Sequence, residues 1–299
     1  MHKVDDKSDQ PRRILAVFNP AAGRRRRSRF DRVIAAAREA GCRVTEMETT
    51  SPGHAEAIAR DVSSDDFDII AAAGGDGTVN EVVNGLQGKS LAIGIIPLGT
   101  ANVLADEIGL GRSPAVIAQT LARGTIRPVH VGSVNGRRFV MMAGAGFDAD
   151  VVRGVSVALK KRLGALAYVW QAAVQAFKKS PPPCEILIDG QPYTAASVVV
   201  CNGRRYGGPF IAAPDASLAD DRFHVVLMAG TGWIASARYG TALILGRISK
   251  LHDVKLVIGR EVVILGQIGR PVQADGDIVA TLPTEIGVVP DPIRLVFPV

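Results

Sequence analysis

Asp76 stands among Gly74, Gly75 and Gly77, after an apolar run at 67–73 and before Thr78, Val79, Asn80 and Glu81. Glycines let the backbone take φ values closed to other residues and bring bare N–H groups against a ligand. A helix opening at this point adds partial positive charge, so the segment is built for a phosphate. A carboxylate among such amides repels an anion unless a cation lies between them. Asp76 therefore points to Mg²⁺ held jointly with nucleotide phosphates. Neither G-x-x-x-x-G-K-[ST] nor G-x-G-x-x-G occurs near it, which sets the segment apart from the two commoner phosphate loops.

A second strand, tight turn and helix start follow at 94–105, with Pro97, Leu98, Gly99, Thr100, Ala101 and Asn102 in the turn. Thr100 and Asn102 can bond a phosphate or ribose, or simply cap the helix. Far along the chain, Asp275, Gly276 and Asp277 form a tight turn with acids at i and i+2. Asp-Gly is also a favoured hairpin pair, so an ordinary hairpin is the plain alternative. On a continuous strand the two acids would point to opposite faces, and joint action requires the turn. Upstream, Asn19 begins an Asn-Pro-x-x-Gly turn, and Thr49 lies four residues before Gly53 and His54.

Gly-Gly-Asp-Gly-Thr with Asn80 and Glu81, followed by Pro-Leu-Gly-Thr-Ala-Asn, resembles the diacylglycerol kinase catalytic-domain family. That family includes bacterial lipid kinases and sphingosine kinases and is distantly related to NAD kinases, which share the first motif and are expected to differ at the second. Residues 144–149, 199–210 and 213–220 look like further family elements, so the resemblance spans nearly the whole chain. It implies transfer of the ATP γ-phosphoryl group to a lipid hydroxyl with Mg²⁺. Residues 74–80 would cradle the phosphates, Asp76 would act through Mg²⁺, and Thr49, Thr100 and Asn102 would face the nucleotide. Asn19 would cap its loop or touch nucleotide, and Glu81 would order the loop or the metal shell.

The same resemblance makes Asp275 the general base that accepts the hydroxyl proton. Asp277 stands where the family carries Glu and reaches about one methylene less. A structural Mg²⁺ is implied at Asp220 with the carbonyls of Ser217 and Arg222, although Asp221 replaces the family's glycine. Two other readings remain: a soluble kinase of the NAD-kinase type, and a catalytically silent nucleotide- or lipid-binding regulator.

The chain has 299 residues, 47% of them hydrophobic, enough for one large domain or two ordinary ones. Three widely spaced cysteines, Cys42, Cys184 and Cys201, indicate neither a disulfide framework nor a cysteine zinc site and fit a reducing cytoplasm. Residues 1–13 read as a polar tail without a signal-peptide core. No apolar stretch reaches the roughly 18–20 residues that span a bilayer. The net charge of +6 and the arginines at 24–27 favour an anionic partner, either a lipid surface at the inner face of the membrane or nucleotide phosphates, with a solvated helix face as the plain alternative. With aromatics at 5% and none interleaved with that basic run, nucleic acid has little support. Oligomeric state is not readable.

Strands at 14–18, 43–48, 67–73 and 91–96 alternate with helices at 30–40, 53–61 and from 80, which predicts an α/β, Rossmann-like parallel-sheet domain. Its ligand crevice would lie at the carboxyl ends of the strands. From about residue 127 the texture changes to short strands at 129–134, 138–142, 184–188, 195–201, 224–228, 253–257, 262–265 and 271–274, the pattern of a β-sandwich. Helical insertions are expected at 151–179 and 233–250. The resulting division is an ATP-binding domain at 1–126, completed by 288–299, and a lipid-binding β-sandwich at 127–287, with the active site expected in the cleft between them.

Overall fold

The computed structural model describes residues 10–20, 24–154 and 182–299. They fall into two units, one of residues up to Gly99 with Ile108–Arg127 and Arg294–Val299, the other of Thr100–Glu107 with Pro128–Ile293. The expected helix at 151–179 lies mostly outside the described residues.

In the first unit β1 (Arg13–Phe18), β2 (Arg43–Glu48), β3 (Ile69–Gly74) and β4 (Ala92–Pro97) run parallel, and the sheet is completed by β20 (Ile293–Phe297) and β5 (Thr125–Val129) in the order β2-β1-β3-β4-β20-β5. β3 and β4 are buried along their whole length, as strands of a sheet covered on both faces must be. The helices are α1 (Arg24–Glu39), α2 (His54–Asp61), α3 (Asp76–Gly85) and α5 (Pro114–Arg123); α4 (Val103–Glu107) belongs to the second unit. α2 and α3 approach closely because Gly85 has no side chain: a Cβ there would sit 2.3 Å from the Glu56 carbonyl oxygen. Since β1 lies between β2 and β3, the connections leaving β1 and β3 part in opposite directions. Such a reversal opens a ligand crevice at the carboxyl ends of these two strands.

The second unit consists of two six-stranded sheets and a short ribbon. One sheet has the order β10-β9-β16-β19-β6-β7, with β6 (Gly132–Val134), β7 (Arg137–Phe139), β9 (Cys184–Ile188), β10 (Gln191–Ala195), β16 (Glu261–Leu265) and β19 (Thr284–Val288). The other has the order β15-β14-β11-β8-β17-β18, with β8 (Met142–Ala145), β11 (Ser197–Cys201), β14 (Phe223–Met228), β15 (Val254–Gly259), β17 (Pro271–Ala274) and β18 (Asp277–Thr281). Phe139 and Phe223 stack at 5.8 Å in a core shared with Ile186, Val225, Val272 and Ile286. The ribbon is β12 (Arg205–Gly207) with β13 (Phe210–Ile211), and among the described residues the α-helices, besides α4, are α6 (Phe147–Gly154) and α7 (Gly232–Ile244).

Several strand limits differ from the sequence reading, each for a physical reason. The run at 138–142 is two strands, β7 and β8, because the peptides at 140 and 141 leave the ladder to bond Asp275. The run at 195–201 hides the end of a hairpin: β9 and β10 are joined by Asp189 (φ 48°) and Gly190 (φ 77°), a two-residue turn with both φ positive. Residues 284–288 form β19 in the second unit, and only β20 returns to the first sheet.

Candidate active site

The phosphate loop is set by the end of β3. Thr78 folds its side chain back over Gly74, where a Cβ would lie 2.3 Å from Thr78 Oγ1, so only glycine fits. Asn19, at the end of β1, donates its backbone N–H to the Ala73 carbonyl at 2.9 Å and its Nδ2 to Thr78 Oγ1 at 3.1 Å. From the other side, Leu98 N and Gly99 N donate to the Gly74 carbonyl at 2.8 and 3.1 Å. The loops after β1, β3 and β4 are thus bonded into one rim. Gly75 caps α3, Asp76 is its first residue, and the amides of Thr78 and Val79 close onto the Gly75 carbonyl. Asn80 Oδ1 accepts from Asn84 Nδ2 at 3.0 Å, which fixes its side chain along α3.

Glu81 has a different task. Its two carboxylate oxygens accept from Gly53 N at 3.0 Å and Ala55 N at 3.1 Å, satisfying N–H groups at the start of α2. That geometry orders the turn at Gly53 and the start of α2. Thr49 is buried, with its N–H bonded to the Phe18 carbonyl. His54 Nδ1 accepts from Thr50 N at 3.0 Å, a packing contact at the same helix start. The compact units divide between Gly99 and Thr100, so Thr100 and Asn102 group with the second unit. Asn102 is buried with φ 51°, and its carbonyl accepts the first amide bond of α4.

The acidic turn of the second unit is a hairpin between β17 and β18, with Asp275 at φ 48° and Gly276 at φ 87°. Asp275 Oδ2 accepts from Val140 N at 2.7 Å, and its Oδ1 accepts from Met141 N and Met142 N at 2.9 and 3.1 Å. Asp277 opens β18 and is exposed. The molecule contains its own comparison. Asp189, in the structurally similar Asp-Gly turn, accepts Arg260 N and Glu261 N on Oδ1 at 3.0 and 2.9 Å, and its N–H bonds the Glu261 carbonyl much as Asp275 N bonds that of Met142.

Asn202, in the segment at 199–210, has partners that sequence reading could not find. Asn202 is 1% exposed and donates from Nδ2 to the carbonyls of Val140 at 2.7 Å and His130 at 2.8 Å, while its backbone N–H bonds the Met141 carbonyl. Glu107 is likewise buried against Arg204, whose N and Nε donate to Oε1 at 3.1 and 3.0 Å. Both belong to long-range pairings that no spacing announces.

Residues 13–134 match the diacylglycerol kinase catalytic domain, and residues 141–297 match the YegS C-terminal NAD kinase beta sandwich-like domain. The "Diacylglycerol kinase" of Bacillus subtilis (strain 168) is 31% identical over 294 residues, covering 96% of this chain and 97% of that one. The chain belongs to the diacylglycerol kinase family. Among other family relatives, a "Probable lipid kinase YegS-like" of Pseudomonas aeruginosa is 34% identical over 202 residues, 65% of this chain and 66% of that protein. A solved structure from Bacillus anthracis str. Sterne, described as a diacylglycerol kinase, shares the fold with a TM-score of 0.75 at 22% identity, covering 96% of this chain and 97% of that one. Membership makes the chain an enzyme of the lipid kinase class.

The family's two expected cation positions differ in how well this chain fits them. Asp76 at the head of α3 offers one carboxylate beside amides suited to phosphate, the usual provision for Mg²⁺, which shares its shell with substrate phosphates. The loop at 217–222 fits less well. The Ser217 carbonyl already accepts from Asp220 N at 3.0 Å, and Asp221 pairs with Arg260 instead of leaving an open glycine turn. Among the described residues no three acids, histidines or cysteines cluster as a metal site.

Proposed function

We propose that the chain transfers the γ-phosphoryl group of ATP to the hydroxyl of a membrane lipid such as a diacylglycerol. The observation that carries this reading is the bonded rim of the loops after β1, β3 and β4, with the glycines at 74, 75 and 77 and with Asp76 opening α3 beside it in sequence. In this proposal the rim at 74–80 holds the phosphates, Thr49, Asn19 and Thr100 with Asn102 border the nucleotide, and Asp76 holds Mg²⁺. When bound, that ion offsets the charge that develops as the phosphoryl group leaves.

The two acids of the turn divide the remaining work. Both oxygens of Asp275 receive backbone amides, as Oδ1 of Asp189 does in the other Asp-Gly turn. Hydrogen bonds to an ionised carboxylate stabilise that form and weaken it as a base. Asp275 therefore fixes the hairpin, and the exposed Asp277 receives the proton of the acceptor hydroxyl. Family resemblance alone gives the base to Asp275 and leaves Asp277 to contact metal or substrate. None of the three cysteines is in a disulfide and all are buried, which supports a reducing, cytoplasmic setting. No helix among the described residues is long and apolar enough to cross a membrane.

The test is transfer of label from γ-labelled ATP with Mg²⁺ to mixed-micelle lipids and to NAD, comparing wild type, Asp275→Asn and Asp277→Asn. A labelled lipid is expected, with turnover reduced about 10²-fold or more in Asp277→Asn at unchanged melting temperature. Asp275→Asn should lose stability along with activity, because an amide –NH₂ would face the Val140 N–H. Labelled NAD would replace the lipid reading with a soluble-substrate kinase, and full turnover in Asp277→Asn would return the base to another group.

A further inference from the structure

Helix α7 presents its side chains the opposite way round from an ordinary surface helix. Such a helix buries its large apolar residues and exposes its polar ones. The buried positions of α7 are Ala235, Tyr239 and Ala242. Trp233, Ile234, Ile244 and Leu245, at its two ends, are 54%, 66%, 66% and 62% exposed. Ala237 and Thr241 continue the stripe between those ends at helical spacing, and both are exposed. Contiguous exposed apolar surface marks an interaction site.

Along the segment that forms the stripe the charges are of one sign. From residue 230 to 252 the chain has no acid, and its cations are Arg238, Arg247 and Lys250, with Lys255 beyond. Arg247, Lys250 and Lys255 are exposed. Arg238 is committed inward: it pairs with Asp253, which also accepts the Tyr239 hydroxyl, while Gly230 N donates to Tyr239 Oη at 2.7 Å. These bonds hold α7 to the body while its bulky ends face out. A helix of 13 residues is too short to cross a bilayer but long enough to lie in its surface.

We propose that α7 is a docking surface for an anionic lipid bilayer, with Trp233, Ile234, Ile244 and Leu245 entering at headgroup depth and Arg247 and Lys250 meeting the lipid phosphates. Tryptophan favours this depth, and basic residues next to an apolar face are attracted to anionic leaflets. An apolar patch alone would serve a second copy of the chain equally well. An acid-free, basic flank decides for the lipid, since two such flanks would repel each other. The purpose rests on the lipid-kinase reading, because an acceptor embedded in a bilayer must be met there; the binding itself needs no catalysis.

Sedimentation of the full chain with vesicles of equal parts phosphatidylcholine and phosphatidylglycerol, and with phosphatidylcholine alone, tests this without nucleotide. The wild type should prefer the mixed vesicles. Ile244→Ser combined with Leu245→Ser should lower that affinity by about tenfold or more. The same variant should phosphorylate a short-chain diacylglycerol, dispersed as monomers, as fast as wild type. Equal vesicle binding by variant and wild type would overturn the proposal, as would a wild-type dimer that the two substitutions dissociate or a parallel loss of activity on dispersed lipid. A second measurement needs no change in α7: with Trp170→Phe, Trp233 is the remaining tryptophan of two, and its emission should shift to the blue on adding mixed vesicles. An unshifted spectrum would also overturn docking. If wild type phosphorylates no lipid but binds vesicles as described, the kinase reading falls and the docking surface stands.

Discussion

Asn202 and Asp275 grip Val140 from its two sides. Val140 gives its N–H to Asp275 Oδ2 and its carbonyl to Asn202 Nδ2, each at 2.7 Å. The segment at 140–142 is therefore a strap between β7 and β8 that carries the position of Asn202 to the acidic turn. Asn202→Ala would leave the carbonyls of Val140 and His130 buried without this donor, at a cost of about 1–3 kcal/mol. Chemical denaturation should show that loss. Kinetics should show a fall in kcat with the KM for ATP little changed, because the strap holds the turn and not the nucleotide. In a double-mutant cycle with Asp275→Asn the two losses should be less than additive, since each substitution loosens the same strap. Strict additivity would disprove the coupling.

Gly74→Ala should damage nucleotide binding specifically. Its Cβ would press on the Thr78 side chain, with Oγ1 at 2.3 Å and Cβ at 2.6 Å, and the stiff β-branched residue cannot simply rotate away. The start of α3 must shift, taking its amides out of register with the loop after β4. We expect ATP affinity, read by calorimetry, to fall about tenfold or more, equivalent to about 1.4 kcal/mol. Thr78→Gly in the same chain removes both offending atoms and should recover part of the loss. A Gly74→Ala protein that binds ATP like wild type would show that the rim is not the phosphate site.

The parallel sheet was legible because βα units announce themselves locally: apolar runs such as 14–18 and 91–96 end in turns rich in glycine, proline or asparagine and give way to helical periods. The sandwich strands were legible where they are isolated, as at 184–188, and blurred where a hairpin or strap interrupts an apolar run, as at Val140 and at Asp189-Gly190. The motifs marked residues without showing the backbone groups those residues bond. Glu81 caps α2, and Asp275 anchors a turn, because each found its partners among backbone amides 26 to 28 residues and 133 to 135 residues away. Asn202 lay in the recognised segment at 199–210, but its partners were hidden for the same reason. A residue whose whole function is to bond distant peptides looks like any other asparagine until the chain is folded.

Arg27 belongs to the fold more than to a membrane. It lies on α1, pairs with Asp31 at 2.8 Å and with Glu48, and stands 5.3 Å and 5.8 Å from the ring centres of Phe18 and Phe30, which stack on each other at 4.6 Å. Each half-exposed pair is worth about 0.2–1 kcal/mol and the cation–π contact a similar amount. Arg27→Glu places a third acid beside Asp31 and Glu48 and should lower stability by about 1–3 kcal/mol. Binding to phosphatidylglycerol vesicles should change little. Loss of vesicle binding at unchanged melting temperature would return this position to membrane attraction.

Asp253 gives the anchoring of α7 a pH dependence whose sign can be worked out. Burial pushes its carboxyl upward, but the Tyr239 hydroxyl, its own backbone N–H and the positive charge of Arg238 outweigh that and hold it below the ordinary carboxylate range. A carboxyl depressed in the folded state adds stability above its unfolded value, about pH 3.9, and loses it as pH falls through the lower folded value. Urea midpoints should therefore drop for wild type from about pH 4 downward in part through this group. Asp253→Asn should be less stable at neutral pH, where the pair with Arg238 and the bond from Tyr239 are lost or weakened. Its curve should fall less steeply in acid and converge on that of wild type. If the two curves stay parallel from neutral pH into acid, Asp253 is not held in its ionised form by Tyr239 and Arg238, and the anchoring of α7 must be assigned to Ala235, Ala242 and the packing around them.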